Sequence, residues 1–202
     1  MAKKVINPWL SISPTKRVLC CDLSILTKIS YSRTCIEEMI PGTNAFPEPW
    51  NGDLVNADIY ILNMNPSSGG IAVSSPKLLS SLYSSIYKGI YDLTSTDIEF
   101  LKGKGTPVQQ KWWKKFLDPT KMPSSFVGKK ICVIEYFPYH TTTGFKFPLS
   151  LPSNYFVDNF INQAIVDKKL IIIARQAQSW FNRIPDLRNY KNTLYLNCLV
   201  HQ

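Results

Sequence analysis

The 202-residue chain carries 23 Lys and Arg against 14 Asp and Glu, a formal net charge of +9 with a sequence pI near 9.3. Hydrophobic residues make up 45% and charged residues 18%, a globular composition that fits a single domain over 1–202 with a sizeable core. No apolar run approaches the ~20 residues that cross a bilayer, and Asn7, Pro8, Ser11, Ser13 and Pro14 break the N-terminal stretch before it reaches signal-peptide length, so a cytoplasmic location is expected. The cysteines, Cys20, Cys21, Cys35, Cys132 and Cys198, are odd in number and form no C-x-x-C pair. With only His140 and His201 beside them, neither a disulfide framework nor a metal site is expected. Excess positive charge attracts polyanions, of which nucleic acid is the commonest.

In chain order, residues 3–19 read as irregular, because Pro8 and Pro14 exclude a long helix. From Cys21 to about Met39 the apolar residues Leu23, Leu26, Ile29 and Ile36 recur at helical spacing, which predicts a helix with Asp22 as N-cap and Pro41-Gly42 as stop. Phe46 to Asp53 reads as a loop. Pro47 and Pro49 stiffen it around Glu48, so that Trp50 or Asn51 is held near the strand that follows. That strand, Ile59 to Leu62, is apolar and β-branched and stops abruptly at Asn63-Met64-Asn65-Pro66-Ser67-Ser68-Gly69-Gly70. After Gly70, Leu78, Leu79, Leu82, Ile86 and Ile90 predict a core helix, and Gly103 to Pro107 a basic loop. Gln109 to Leu117 is a predicted helix in which Trp112, Trp113 and Phe116 are interleaved with Lys111, Lys114 and Lys115. Aromatic faces among cations grip single strands or extruded bases, while the same spacing equally describes an amphipathic helix with its aromatics inward.

Lys130 to Phe137 is a second strong strand, with the ionisable Glu135 close to its end, and it runs into Pro138-Tyr139-His140-Thr141-Thr142-Thr143-Gly144. A helix with Ser153 as N-cap follows, then a strand over Lys169 to Ala174, then Arg175 and a helix through Trp180 and Phe181. Thr193 to Val200 is the last predicted strand. Strands alternating with helices predict a three-layer α/β/α fold around a central, mainly parallel sheet. Ligands of such sheets sit beyond the carboxyl ends of the strands, where Asn63 and Asn65 fall. Asn and Pro are also common turn formers for purely local reasons.

The order of these pieces resembles the uracil-DNA glycosylase superfamily. The resemblance rests on Pro47-Glu48-Pro49-Trp50-Asn51-Gly52-Asp53, Ile61-Leu62-Asn63-Met64-Asn65-Pro66-Ser67, Ile134-Glu135-Tyr136-Phe137-Pro138-Tyr139-His140-Thr141, and Ile171-Ile172-Ile173-Ala174-Arg175 with Trp180. It is similar to bacterial members whose first motif has the sense of Leu-Asn-x-Asn-Pro. The resemblance implies a hydrolase that excises a damaged or deaminated base from DNA without metal or organic cofactor. It puts Asn65 where the family holds the residue that orients the attacking water, a role an amide fills by positioning and not as a general base. The extruded base needs a pocket with a stacking aromatic and a polar edge reader. The resemblance assigns Asn63, Met64, Pro66, Ser67, Glu135, Tyr136 and Tyr139 to it, with Glu135 or Tyr136 reading the base edge. Uracil-specific relatives tend to have Asn there. An ionised Glu135 would accept hydrogen bonds only, unless it simply pairs with Arg175. The DNA backbone falls to Arg175, Lys111 and Lys114. The family's later motif, often His-Pro-Ser, is not found after Trp180, so either it is lacking, or the sequence stops short of it, or His140 takes its place. Two other readings stand beside the hydrolase: a nucleic-acid or nucleotide-binding module of the same fold, and an interaction protein presenting Trp112 and Trp113.

Overall fold

The computed structural model describes residues 6–12, 18–28, 47–66, 114, 129–139 and 148–196. Ser67, Lys111, His140, the predicted helix over Leu78 to Ile90, that over Gln109 to Leu117 apart from Lys114, the Gly103 to Pro107 loop and the end of the last predicted strand lie outside the described residues. Five strands, β1 (Trp50–Gly52), β2 (Ile59–Asn63), β3 (Ile131–Glu135), β4 (Leu170–Ile173) and β5 (Thr193–Tyr195), form one mixed sheet in the order β1-β3-β2-β4-β5. β3, β2, β4 and β5 run parallel and β1 antiparallel to β3. With helices α1 (Cys20–Leu26), α2 (Asn154–Val166) and α3 (Ala177–Arg183) among the described residues, the fold is α/β.

The sheet interior follows from the apolar runs. β3 is buried at every residue, as expected of a central parallel strand, and β5 at the margin is mostly exposed. Alternation sorts the side chains into two faces. Tyr60 and Leu62 of β2, Cys132 and Ile134 of β3, and Ile171 and Ile173 of β4 lie in register on one face. They form a cluster with Phe156, Val157 and Ile161 of α2 and Trp180 of α3. Ile61 and Val133 on the other face are also buried, so both faces are shielded at the centre of the sheet.

Three expectations change. The segment Phe46 to Asp53 is not all loop, because Trp50 to Gly52 pairs with Cys132 to Ile134. Gly52 is required there: its φ is +102°, and a Cβ would lie 2.1 Å from the carbonyl oxygen of Ile131. The first helix begins at Cys20 and closes at Leu26, with Thr27 at its C-cap donating its hydroxyl to the Leu23 carbonyl, and the rest of the predicted helix, to Met39 and its Pro41-Gly42 stop, lies outside the described residues. Asp22 does not cap that helix, whose N-cap is Leu19. Its side chain instead crosses to the start of α2, accepting from the Ser153 amide at 3.0 Å and from the Tyr139 hydroxyl at 2.7 Å. A carboxylate at a helix N-terminus is favoured by the exposed amides there, and Asp22 supplies it from 131 residues away. Ser153 does occupy the N-cap of α2, but its own hydroxyl makes no capping bond.

The far end of α2 closes as a Schellman turn: the Lys168 amide donates to Ile165 O at 3.2 Å and the Lys169 amide to Ala164 O at 2.9 Å. Lys168 takes the left-handed conformation, φ 56°, where glycine is usual. Arg183, at the end of α3, holds α3 to α2 through Asp158 (Nη2 to Oδ1, 2.5 Å) and donates to the Tyr136 carbonyl at 2.7 Å. At the amino edge of the sheet, Lys130 and Lys169 share the carboxylate of Asp58, whose pKa the two hydrogen-bonded ammonium groups hold down at about 2.

Two consequences can be measured by denaturant unfolding. Asp22→Ala strands the Ser153 amide and the Tyr139 hydroxyl, and is expected to cost roughly 3 kcal/mol, with less-than-additive loss when combined with Tyr139→Phe. Lys168→Gly relieves the left-handed backbone and is expected to stabilise by about 1 kcal/mol.

Candidate functional site

β2 lies between its two parallel neighbours, β3 on one side and β4 on the other. The chain visits β3 before β4, so the direction of strand addition reverses at β2, and loops leaving β2 and β4 part at the carboxyl edge. Such a reversal opens the crevice in which doubly wound sheets hold ligands. Asn63, Met64, Asn65 and Pro66 leave β2 there, and Ala174, Arg175 and Gln176 leave β4.

Two side chains meet at this edge. In the parallel register Asn63 stands opposite Glu135, and its amide Nδ2 donates to Oε1 at 3.1 Å. The Asn63 backbone is fixed independently, its carbonyl accepting from the Tyr136 amide at 3.2 Å and the Trp180 indole Nε1 at 3.1 Å. Below it the Ala174 amide donates to Leu62 O at 2.9 Å, tying the exit of β4 to β2. The pair is therefore positioned by main-chain contacts and does not depend on its own hydrogen bond for its place.

Glu135 is only 6% exposed, and its Oε2 is buried with no hydrogen-bond partner. Burial pushes its pKa up to about 8; the Asn63 hydrogen bond pulls down, the Glu48 carboxylate pushes up and Arg175 pulls down. Near neutrality Glu135 is thus mainly a carboxylic acid, which offers one O–H donor as well as acceptor capacity. The acceptor-only group of the sequence reading is its ionised form, which burial disfavours. Its expected partner also differs: no ion pair joins Glu135 to Arg175, which is exposed at the edge, and Asn63 is the hydrogen-bonded neighbour.

Glu48 and Asn51 were not legible as site residues. Both are buried. The segment before β1 is laced onto the end of β3, the Glu48 amide donating to Pro138 O at 2.7 Å and the Glu135 amide to Pro49 O at 3.1 Å. The signal in the sequence is a carboxylate between two prolines next to a strand. Asn51 is paired with Val133 in β1, so it shares the sheet face of Asn63 and Glu135.

The other expected residues divide. Asn65 is half-buried two residues beyond Asn63, its Nδ2 donating to the Pro66 carbonyl at 3.1 Å. Met64 is buried and its carbonyl accepts from the Phe137 amide at 2.8 Å, and Pro66 is buried next to it. Tyr136 is drawn into the core: its ring meets Trp180 edge-on at 5.1 Å and its hydroxyl donates to Leu149 O at 2.7 Å. Tyr139 is likewise structural, its hydroxyl accepting from the Leu19 amide at 3.2 Å and donating to Asp22. Lys114 is an exposed helical residue. Among the described residues no three His, Cys, Asp or Glu side chains converge as a metal site would require.

The raised pKa of Glu135 has a measurable sign. In the unfolded chain the group ionises near 4.5 and in the fold near 8, so the stability tied to its acid form is complete below the first value and lost as pH rises through the second. Glu135→Gln cannot ionise. Relative to wild type it is expected to gain on the order of 4 kcal/mol between about pH 5 and about pH 9 in urea unfolding; a constant difference across that range would refute the buried acid.

No protein-family model matches the chain, and neither a curated protein nor a solved structure is significantly similar to it.

Proposed function

We propose that the protein is a base-excising hydrolase of the uracil-DNA glycosylase type, which cleaves the N-glycosidic bond of a damaged or deaminated base in DNA. The observation that carries the reading is the Asn63–Glu135 amide–acid pair at the carboxyl edge of β2 and β3, next to the reversal of strand order. An amide beside a neutral carboxylic acid presents both donors and acceptors on rigid strands, the equipment for reading the edge of a planar base. Asn65 leaves β2 two residues later and is the group to place water against the anomeric carbon, working by orientation because an amide is no general base. Met64 and Pro66 shape the wall of the pocket in this reading. Arg175 at the exit of β4, with Lys114 and Lys111, meets phosphates, and His140 and Ser67 complete the inventory of the resemblance. The full architecture is then the three-layer α/β/α arrangement of that superfamily in one domain.

A second reading, a nucleic-acid or nucleotide-binding module of the same fold without chemistry, draws on the Asn65 amide group, which donates into its own loop at Pro66. Base release from single- and double-stranded oligonucleotides separates the two. Asn65→Ala is expected to lower the rate of release by about 100-fold or more while leaving DNA affinity nearly unchanged. Salt-sensitive binding by the wild type with no release from any substrate would favour the module, and equal loss of binding and activity would remove Asn65 from the water-placing role.

A further inference from the structure

We infer, resting on the base-excision reading, that the site selects a nucleobase bearing a formal positive charge, of which purines methylated at N7 or N3 are the simplest, over a neutral deaminated base. The first ground is the incomplete satisfaction of Glu135. Oε1 is taken by Asn63, and Oε2 is buried with no partner in a side chain 6% exposed. An oxygen held dry and unpaired on a strand end costs free energy that a ligand can recover.

The second ground is the sign of the charges gathered there. Glu48, 7% exposed, is a second buried carboxyl residue joined to the end of β3 by the Pro47 to Pro49 segment. The described cation that acts on Glu135 is Arg175, which is exposed and forms no ion pair with it. A cationic base entering this site would be paired with Glu135, which would give up its proton to solvent on binding, as buried charges are tolerated when paired.

The third ground is the reaction itself. When a neutral base departs, the C1′–N bonding pair makes it anionic while the sugar becomes cationic. The Glu48 carboxylate acts against an anion at that place, as it acts against the ionised form of Glu135. When a cationic purine departs, the same pair returns to the ring and the base leaves neutral, so positive charge moves from base to sugar and no negative charge builds up beside Glu135. Water adds its oxygen to C1′ and loses its proton to solvent. Such a leaving group needs no strong general base, which matches an amide, Asn65, in the water-placing position.

The test compares release of 7-methylguanine or 3-methyladenine from a methylated duplex with release of uracil and hypoxanthine from matched duplexes. In parallel, calorimetry at about pH 6, where 7-methylguanosine is mainly cationic and Glu135 still protonated, in two buffers of different ionisation enthalpy measures binding of the nucleoside and the protons it displaces. The expected result is release of the methylated purine at least about tenfold faster in kcat/KM, and displacement of close to one proton on binding the nucleoside. Glu135→Gln is expected to abolish the proton displacement and to cut methylated-base release about 100-fold with duplex affinity held. Faster release of uracil or hypoxanthine would overturn the charge selection and leave base excision standing. Binding of 7-methylguanosine with proton displacement but no release from any duplex would overturn the excision reading and leave the charge selection standing. Neither binding nor release would overturn both.

Discussion

The pairing register between β2 and β3 is the constraint on which the rest depends. Side chains alternate along a strand, so a slip of one residue sends every group to the opposite face. In the observed register Asn63 faces Glu135, while Leu62 and Ile134 go together into the core. A slipped β3 would put the Glu135 carboxyl into the apolar cluster against α2 and α3 and leave Ile134 at the site. The register is fixed at both ends by main-chain bonds beyond the ladder: Asp58 N to Lys130 O at 3.0 Å at the amino edge, and Phe137 N to Met64 O at 2.8 Å at the carboxyl edge. Apolar Tyr60, Leu62, Cys132 and Ile134 on one face provide the energetic preference between those ends.

Burial of that sheet then determines the chemistry. A glutamate at the rim of a polar loop would ordinarily be ionised near neutrality; placed at the end of a strand buried along its whole length, it keeps its proton to about 8. The same hydrophobic packing that stabilises the fold therefore creates a neutral acid whose ionisation is poised close to neutral pH. A ligand or a change of pH that removes the proton acts against the packing, which couples binding at the carboxyl edge to the stability of the central strands.

The periodicity of the sequence carries the fold well where chain-local signals decide it. Ile59–Leu62, the Ile131–Glu135 run, Ile171–Ile173 and the stripe from Tyr155 to Ile165 each combine an apolar pattern with a turn or cap residue, and each appears in the element expected of it. What was illegible depends on contacts far apart in the chain. Trp50 to Gly52 has the composition of a turn, and becomes a strand only because the edge of β3 needs a partner. Asp22 looks like a local cap, yet its acceptors serve Ser153 and Tyr139, more than 100 residues away. At the site, Asn63 and Glu135 stood out as strand-end polar residues, but that they touch is a fact of register, and the aromatic Tyr136 and Tyr139 could equally have been pocket or core until Trp180, Leu149 and Asp22 claimed them.

Two buried carboxyl residues make the distinction between framework and site physical. Asp22, fully buried, accepts from the Ser153 amide and the Tyr139 hydroxyl, with the Cys21 thiol at 3.7 Å, so both of its oxygens are engaged. It closes a network that joins α1, the loop after β3 and the start of α2, and replacing one donor disturbs packing alone. Glu135 has nearly the same burial, and only one of its oxygens is engaged. A chain selected for stability alone would satisfy or remove the second oxygen, since an apolar residue of similar volume at the end of a buried strand costs less than a half-paired acid. The unsatisfied oxygen lies at the carboxyl edge where the strand order reverses, next to the Asn63 amide that main-chain contacts hold in place. An unsatisfied acceptor beside a polar side chain fixed in place is what a binding site requires of the residue that meets its ligand.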